Sequence, residues 1–242
     1  VWEDGSTKVA YGVRRKHILG GHCDGLMNYP LRSAILSYFS GGKAEDFVSG
    51  METIREKYPP FAFYSAMNSL GTHDTPRILT ALVDDFDGSR EEKAHRRLSR
   101  NQLEVARDRL MMASFLQYTL PGCPSLYYAD ETCMEGYKDP FNRRTYPWGR
   151  EDTEILGHFR CLGKLRTRNI ALRLGDIRFT VASDRHLAYT RSAQGQTLSI
   201  YVNRSGDAWD IPTGRVIFGK NIDTISPDRL TLGPRGFCVM EA

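Results

Sequence analysis

The sequence is most informative first in what it lacks. Its 242 residues contain no apolar run long enough to cross a bilayer and no signal-peptide pattern. Charge of one sign is also scarce, with a net charge of +4. The densest basic groups, Arg14-Arg15-Lys16 and His95-Arg96-Arg97, are not interleaved with aromatics. They read as solvated surface rather than a nucleic-acid footprint. Five cysteines are an odd number, and none has C-x-x-C spacing, which argues against a disulfide framework or a zinc site. Free thiols of this kind suit a reducing compartment, so a cytoplasmic setting is expected. His17, His22, His95, His158 and His186 have no partners at metal spacing, and no metal or other cofactor is expected. The chain has no internal repeat and no low-complexity stretch. It opens on Val1 rather than Met, so the expectation is either an upstream segment removed or a piece of a longer polypeptide.

What is present is ordinary soluble-domain material, 40% hydrophobic and 26% charged. Residues 25–29 form a short strand candidate stopped by Pro30. Residues 31–39 follow with Leu31, Ala34, Ile35 and Tyr38 at helical spacing, and residues 44–57 place Phe47, Val48, Met51 and Ile54 on one face. A second strand is expected at 66–70, an exposed acidic loop at 84–92 and a long helix over 95–119. A buried strand is expected at 125–129, and another helix at 153–168 with Asp152 or Thr153 as its cap. Strand and helix alternate, as in a parallel α/β structure, but three such units cannot close a barrel. After Asn169 the texture changes to short strand candidates at 177–181, 186–190, 197–202, 215–218 and 236–240. This is roughly seventy residues of all-β sequence by strand and turn counting. A domain boundary is therefore expected at Asn169, with an α/β part over 1–169 and a β part over 170–242.

The stretch Leu70-Gly71-Thr72-His73-Asp74-Thr75-Pro76-Arg77 organises the rest. Gly71 permits a turn and Pro76 forbids continuation, so His73 and Asp74 fall on a loop at a strand end. Barrel enzymes keep their working residues there. Loop composition alone favours the plainer reading, a solvated turn.

Five segments in order decide how the motif is read. They are Val1-Trp2-Glu3-Asp4, Leu26-Met27-Asn28-Tyr29-Pro30-Leu31-Arg32, the 70–77 stretch, residues 124–131, and Met134-Glu135-Gly136-Tyr137-Lys138-Asp139-Pro140-Phe141-Asn142-Arg143-Arg144-Thr145-Tyr146-Pro147-Trp148. Together they resemble the later part of the α-amylase family (glycoside hydrolase family 13), in its neopullulanase, cyclomaltodextrinase and maltogenic amylase branch. The resemblance implies the last units of a (β/α)8 barrel, incomplete here, followed by an antiparallel β-sandwich. It implies retaining chemistry on α-1,4 or α-1,6 glucosidic bonds of maltooligosaccharides, cyclomaltodextrins or pullulan. Such chemistry uses a nucleophile and an acid/base carboxylate roughly 5–5.5 Å apart, helped in this family by a third carboxylate.

By resemblance, Asp74 is the third carboxylate, a transition-state stabiliser, and His73 hydrogen-bonds sugar hydroxyls. Asp139 and Arg143 resemble the residues that hold glucose units on the non-reducing side of the cut, with an ordinary loop salt bridge as the alternative. Trp2 offers an apolar face to an acceptor-side sugar, or is a core residue. The nucleophile Asp and the acid/base Glu fall upstream of Val1, and Glu3 is out of register for the latter role. The chain alone is therefore expected to be inactive. It is also expected to need the missing half-barrel or to self-associate through open edges. The alternatives are a non-catalytic glucan-binding or structural piece, and a parent that is chiefly a transglycosylase.

Overall fold

The computed structural model describes residues 9–10, 13–225 and 229–241. A minimal antiparallel pair, β1 (Val9–Ala10) with β2 (Val13–Arg14), comes first. The helical region then runs through α1 (Tyr29–Phe39), α2 (Ala44–Lys57), α3 (Pro60–Ser65), β3 (Met67–Ser69), α4 (Ile78–Ala81), α5 (Arg90–His95), α6 (Arg100–Thr119) and β4 (Cys123–Ser125). It ends with a 3₁₀ turn at Asp130–Thr132, α7 (Thr153–Arg168) and α8 (Ile170–Leu174).

Local chemistry accounts for the helix ends. The Asn28 side chain accepts from the Leu31 amide at 3.1 Å at the head of α1. Asp152 caps α7 in the same way, accepting from Ile155 at 3.1 Å. In α2, Glu45 and Asp46 lie in the first turn and Arg55 and Lys57 in the last, complementing the helix dipole. Its buried face is Ala44, Phe47, Met51 and Ile54. The long helix expected over 95–119 is present but starts at Arg100, and a separate short helix precedes it. Ser89 with Glu92 and Ser99 with Gln102 each form a complete capping box, so the chain starts afresh at Arg90 and at Arg100. Part of the expected acidic loop is thus helix.

The parallel elements are short. Met67, Asn68 and Ser69 pair in register with Cys123, Pro124 and Ser125, and Met27 makes a single parallel bridge to Met67. The strand expected at 25–29 is reduced to that bridge. Pairing of the strand expected at 125–129 ends at Ser125, and Ala129 turns the chain away with a φ of +68°. The three parallel segments nonetheless lie side by side, each leading into helices. This is the arrangement of neighbouring barrel units, present here as an incomplete barrel.

Strands β5 (Asp176–Ser183), β6 (His186–Ala193), β7 (Gln196–Asn203), β8 (Trp209–Pro212), β9 (Arg215–Ile225) and β10 (Arg229–Glu241) make one antiparallel sheet. Its order is β5-β6-β7-β10-β8, with β9 along the other side of β10. One half of β10 pairs with β7 and the other with β8, while register shifts in its ladder with β9 bend the strand. Residues of β10 are buried on both faces. Phe237 and Val239 join the main core, while Cys238 and Met240 close a smaller core with Ile211, Leu230 and Leu232. The sandwich thus has one apolar layer of its own and another shared with the helices.

That shared layer is bolted by buried polar groups. The Phe115 ring of α6 stacks on Phe237 at 4.5 Å. Tyr189 and Thr119 share a hydroxyl hydrogen bond of 2.6 Å. Arg191, fully buried, donates to the carbonyls of Thr119, Leu172 and Gly175. Arg166 donates to the carbonyls of Tyr118 and Leu120, each at 2.8 Å, and to that of Gly122.

Candidate active-site rim

The loop after β3 is built by close approach rather than by flexibility. A Cβ on Gly71 would stand 2.1 Å from Oδ2 of Asp130, so only glycine lets this loop rest on the buried carboxyl. Within the loop, the Thr72 amide donates to Thr75 Oγ1 at 3.1 Å, and the Asp74 amide donates to Thr72 Oγ1 at 3.2 Å. The Tyr29 hydroxyl at the head of α1 lies 3.3 Å from Thr72 Oγ1.

A second loop holds the first from the other side. The Asn142 side chain, fully buried, donates to the carbonyls of His73 at 2.7 Å, Thr75 at 2.8 Å and Thr72 at 3.4 Å. Arg143 Nε adds a hydrogen bond to the His73 carbonyl at 3.2 Å. Deeper in, the Arg77 amide donates to the Gly136 carbonyl, and the Gly136 amide donates to Thr80 Oγ1, both at 2.9 Å. The two loops therefore behave as one structure.

The result is a group of polar side chains presented to solvent on a fixed backbone. His73 Nε2 lies 3.2 Å from Asp74 Oδ2, and their side chains are 59% and 61% exposed. Arg143 Nε lies 3.0 Å from Asp139 Oδ1, and its Nη2 reaches 4.0 Å from Asp74 Oδ1. Four of the residues singled out from sequence, His73, Asp74, Asp139 and Arg143, thus meet at one rim. Trp2 and Glu3 lie outside the described residues. A carboxylate or a guanidinium can each take a pair of adjacent hydroxyls and an imidazole a single one, which is the donor and acceptor mix a polyol demands. Among the described residues, no group of three or more His, Cys, Asp or Glu side chains could hold a metal ion.

Sequence reasoning missed the layer behind this rim. Arg77 is fully buried, with its guanidinium 4.4 Å from the ring centres of both Tyr127 and Tyr128. It donates to the Tyr128 carbonyl and lies 3.4 Å from Asp130 Oδ1. Burial pushes the Asp130 carboxyl up to about 7, with Arg77 and then Arg32 opposing the shift. Arg32 Nε donates to the Leu70 carbonyl at 2.6 Å, immediately before the loop. Tyr127 and Tyr128, which fall within the buried strand expected at 125–129, lie beyond the paired residues and place their rings against Arg77. The signal that could have found Asn142 was its place beside Arg143, but its acceptors lie 67 to 70 positions away in sequence.

Known proteins resemble this chain in sequence and fold. No protein-family profile matches the chain. An amylopullulanase of Thermoanaerobacter thermohydrosulfuricus is 37% identical over 187 residues, covering 72% of this chain and 12% of that protein. A cyclomaltodextrinase of Geobacillus thermopakistaniensis is 31% identical over 227 residues, covering 91% and 35% respectively. Among solved structures, a cyclic α-maltosyl-(1→6)-maltose hydrolase of Arthrobacter globiformis, in complex with that cyclic sugar, superposes with a TM-score of 0.73 at 23% identity. It covers 93% of this chain and 46% of that one. Barrel units joined to a C-terminal antiparallel sheet are the fold that this chain shares with that hydrolase. The chain belongs to the α-amylase family, glycoside hydrolase family 13, and corresponds to the C-terminal portion of its neopullulanase, cyclomaltodextrinase and maltogenic amylase branch. It spans about a third or less of the length of these two curated relatives.

Proposed function

We propose that the chain supplies one rim of the active site of a retaining α-glucan hydrolase acting on maltooligosaccharides, cyclomaltodextrins or pullulan. The observation that carries this reading is the convergence of His73, Asp74, Asp139 and Arg143, from two loops tied together by Asn142. In it, Asp74 stabilises positive charge developing on the distorted sugar, and His73 hydrogen-bonds that sugar. Asp139 and Arg143 grip glucose units on the non-reducing side, and Trp2 faces the acceptor side. The nucleophile and the acid/base come from outside these 242 residues, on the complementary half of the barrel. A chain without either group has no covalent route, whatever it binds. The α/β part and the β part divide near Asn169, a reading supported by the change from helices to an all-antiparallel sheet a few residues further on, between α8, which ends at Leu174, and β5, which starts at Asp176.

The test is affinity electrophoresis in a maltodextrin gel beside a glucosidase assay. The chain is expected to be retarded without turning substrate over, and Arg143→Ala to weaken retention about tenfold, as for loss of one charge-assisted pair. Turnover that disappears in Asp74→Ala would overturn the inactivity. Absence of retardation would overturn the binding role.

A further inference from the structure

The largest exposed apolar side chain near this rim is not explained by the roles above. Trp148 is 80% exposed, ahead of Leu174 at 60% and Phe61 at 53%. It is nevertheless held in place. The Tyr146 ring lies 4.4 Å from it at 47°. The Trp148 amide donates to the Tyr146 carbonyl at 3.0 Å, bending the chain about Pro147. The Arg150 amide closes the next turn on the Pro147 carbonyl at 2.9 Å, with Gly149 in the left-handed region at φ +73°. Upstream, the Tyr128 hydroxyl donates to the Arg144 carbonyl at 2.7 Å. An aromatic pair on a rigid tip differs from a single surface apolar residue, which needs no explanation.

We propose that Tyr146 and Trp148 form a stacking platform for a distal stretch of α-glucan, beyond the units held by Asp139 and Arg143. The ligand class rests on the function proposed above. An indole fixed by its neighbours offers a flat apolar face at small entropic cost. A pyranose ring can lay its C–H face there while its hydroxyls stay in water, as bases stack on aromatics with little regard to sequence. Trp148 follows Arg143 by five positions, so the two lie within about 18 Å along even a fully extended chain. An oligosaccharide of several glucose units spans that separation, and in this reading the platform selects for length.

The test uses the 242-residue chain, titrated with maltose and with maltoheptaose, and run in amylopectin gels. Trp148→Ala is expected to weaken maltoheptaose and amylopectin binding about tenfold and to leave maltose unchanged, with Trp148→Phe intermediate. Arg143→Ala weakens maltose and maltoheptaose alike. Thermal midpoints of both Trp148 variants should match the parent chain, since the side chain lies in solvent. Wild-type retardation of Trp148→Ala, as expected if this residue instead packs on another protein segment, overturns the platform. Equal loss of maltose and maltoheptaose in Trp148→Ala overturns its distal position. If Arg143→Ala changes nothing while Trp148→Ala still weakens maltoheptaose, the platform stands and the rim reading fails.

Discussion

The two regions of this chain satisfy their backbones by different means. In the C-terminal sheet the ladder does the work, and β6 and β7 alone pair at eight positions. In the barrel region the parallel segments pair over only three positions. Carbonyls there are met by buried side chains instead. Asn68 donates to the Pro121 carbonyl at 2.7 Å, and Gln117 donates to those of Asn68 at 2.7 Å and Ser125 at 2.9 Å. Arg32, Arg77, Asn142 and Arg166 act in the same way on the loops and helix ends. A ladder distributes stability over many replaceable contacts, whereas a bracket concentrates it in one residue. The barrel region should therefore be much more sensitive to single polar substitutions than the sheet.

The sharpest way to break this contrast is Arg191→Leu, at the junction. It would leave three buried carbonyls without their donor and is expected to cost about 3–5 kcal/mol. In urea, the parent chain is expected to unfold in one transition, and the substitution to split it into separate transitions for the two regions. A single transition at an unchanged midpoint would show that apolar packing alone joins them. Next comes His158, on α7 between α6 and the sheet, 3.0 Å from Ser114 Oγ and 3.1 Å from the Met111 carbonyl. Burial lowers its pKa to about 4, so the unfolded chain takes the proton first. Stability is then unaffected above pH 6.5, falls as pH drops toward 4, and levels off below that, by at most about 3 kcal/mol. In His158→Phe this part of the pH dependence should vanish, as read from thermal midpoints between pH 4 and 7. The smallest expected effect is that of Asn142→Ala, about 2 kcal/mol for three carbonyls close enough to the surface to recruit water. Its signature is local. Amide exchange should quicken across residues 72–75 while the sheet stays protected.

Legibility in the sequence followed the same divide. Helices α1, α2 and α7 were readable from their apolar spacing, and in α1 and α7 a capping side chain agrees with it. The break before Arg100 was not, because it is set by a Ser-x-x-Gln box of polar residues, which hydrophobic spacing does not register. Strand β8 was missed because Trp209–Pro212 is short, ends in proline and owes its place to β10. Residues of the rim were found through a family resemblance to a linear motif. The brackets behind it, Asn142 and the Arg77–Asp130 pair, act between positions more than fifty apart. No local pattern encodes such a contact.

Strand β10 also sets a schedule for biosynthesis. Strands β5, β6 and β7 can pair with one another in the order they leave the ribosome, but β8 and β9 each pair only with β10. At roughly 5–20 residues per second, those two strands wait unpaired for seconds while the chain up to Glu241 is made. The Phe115 ring of α6 must wait longer still for Phe237. A nascent chain stalled before β10 would thus present open strand edges and an uncovered helix face together, a form that chaperones would bind.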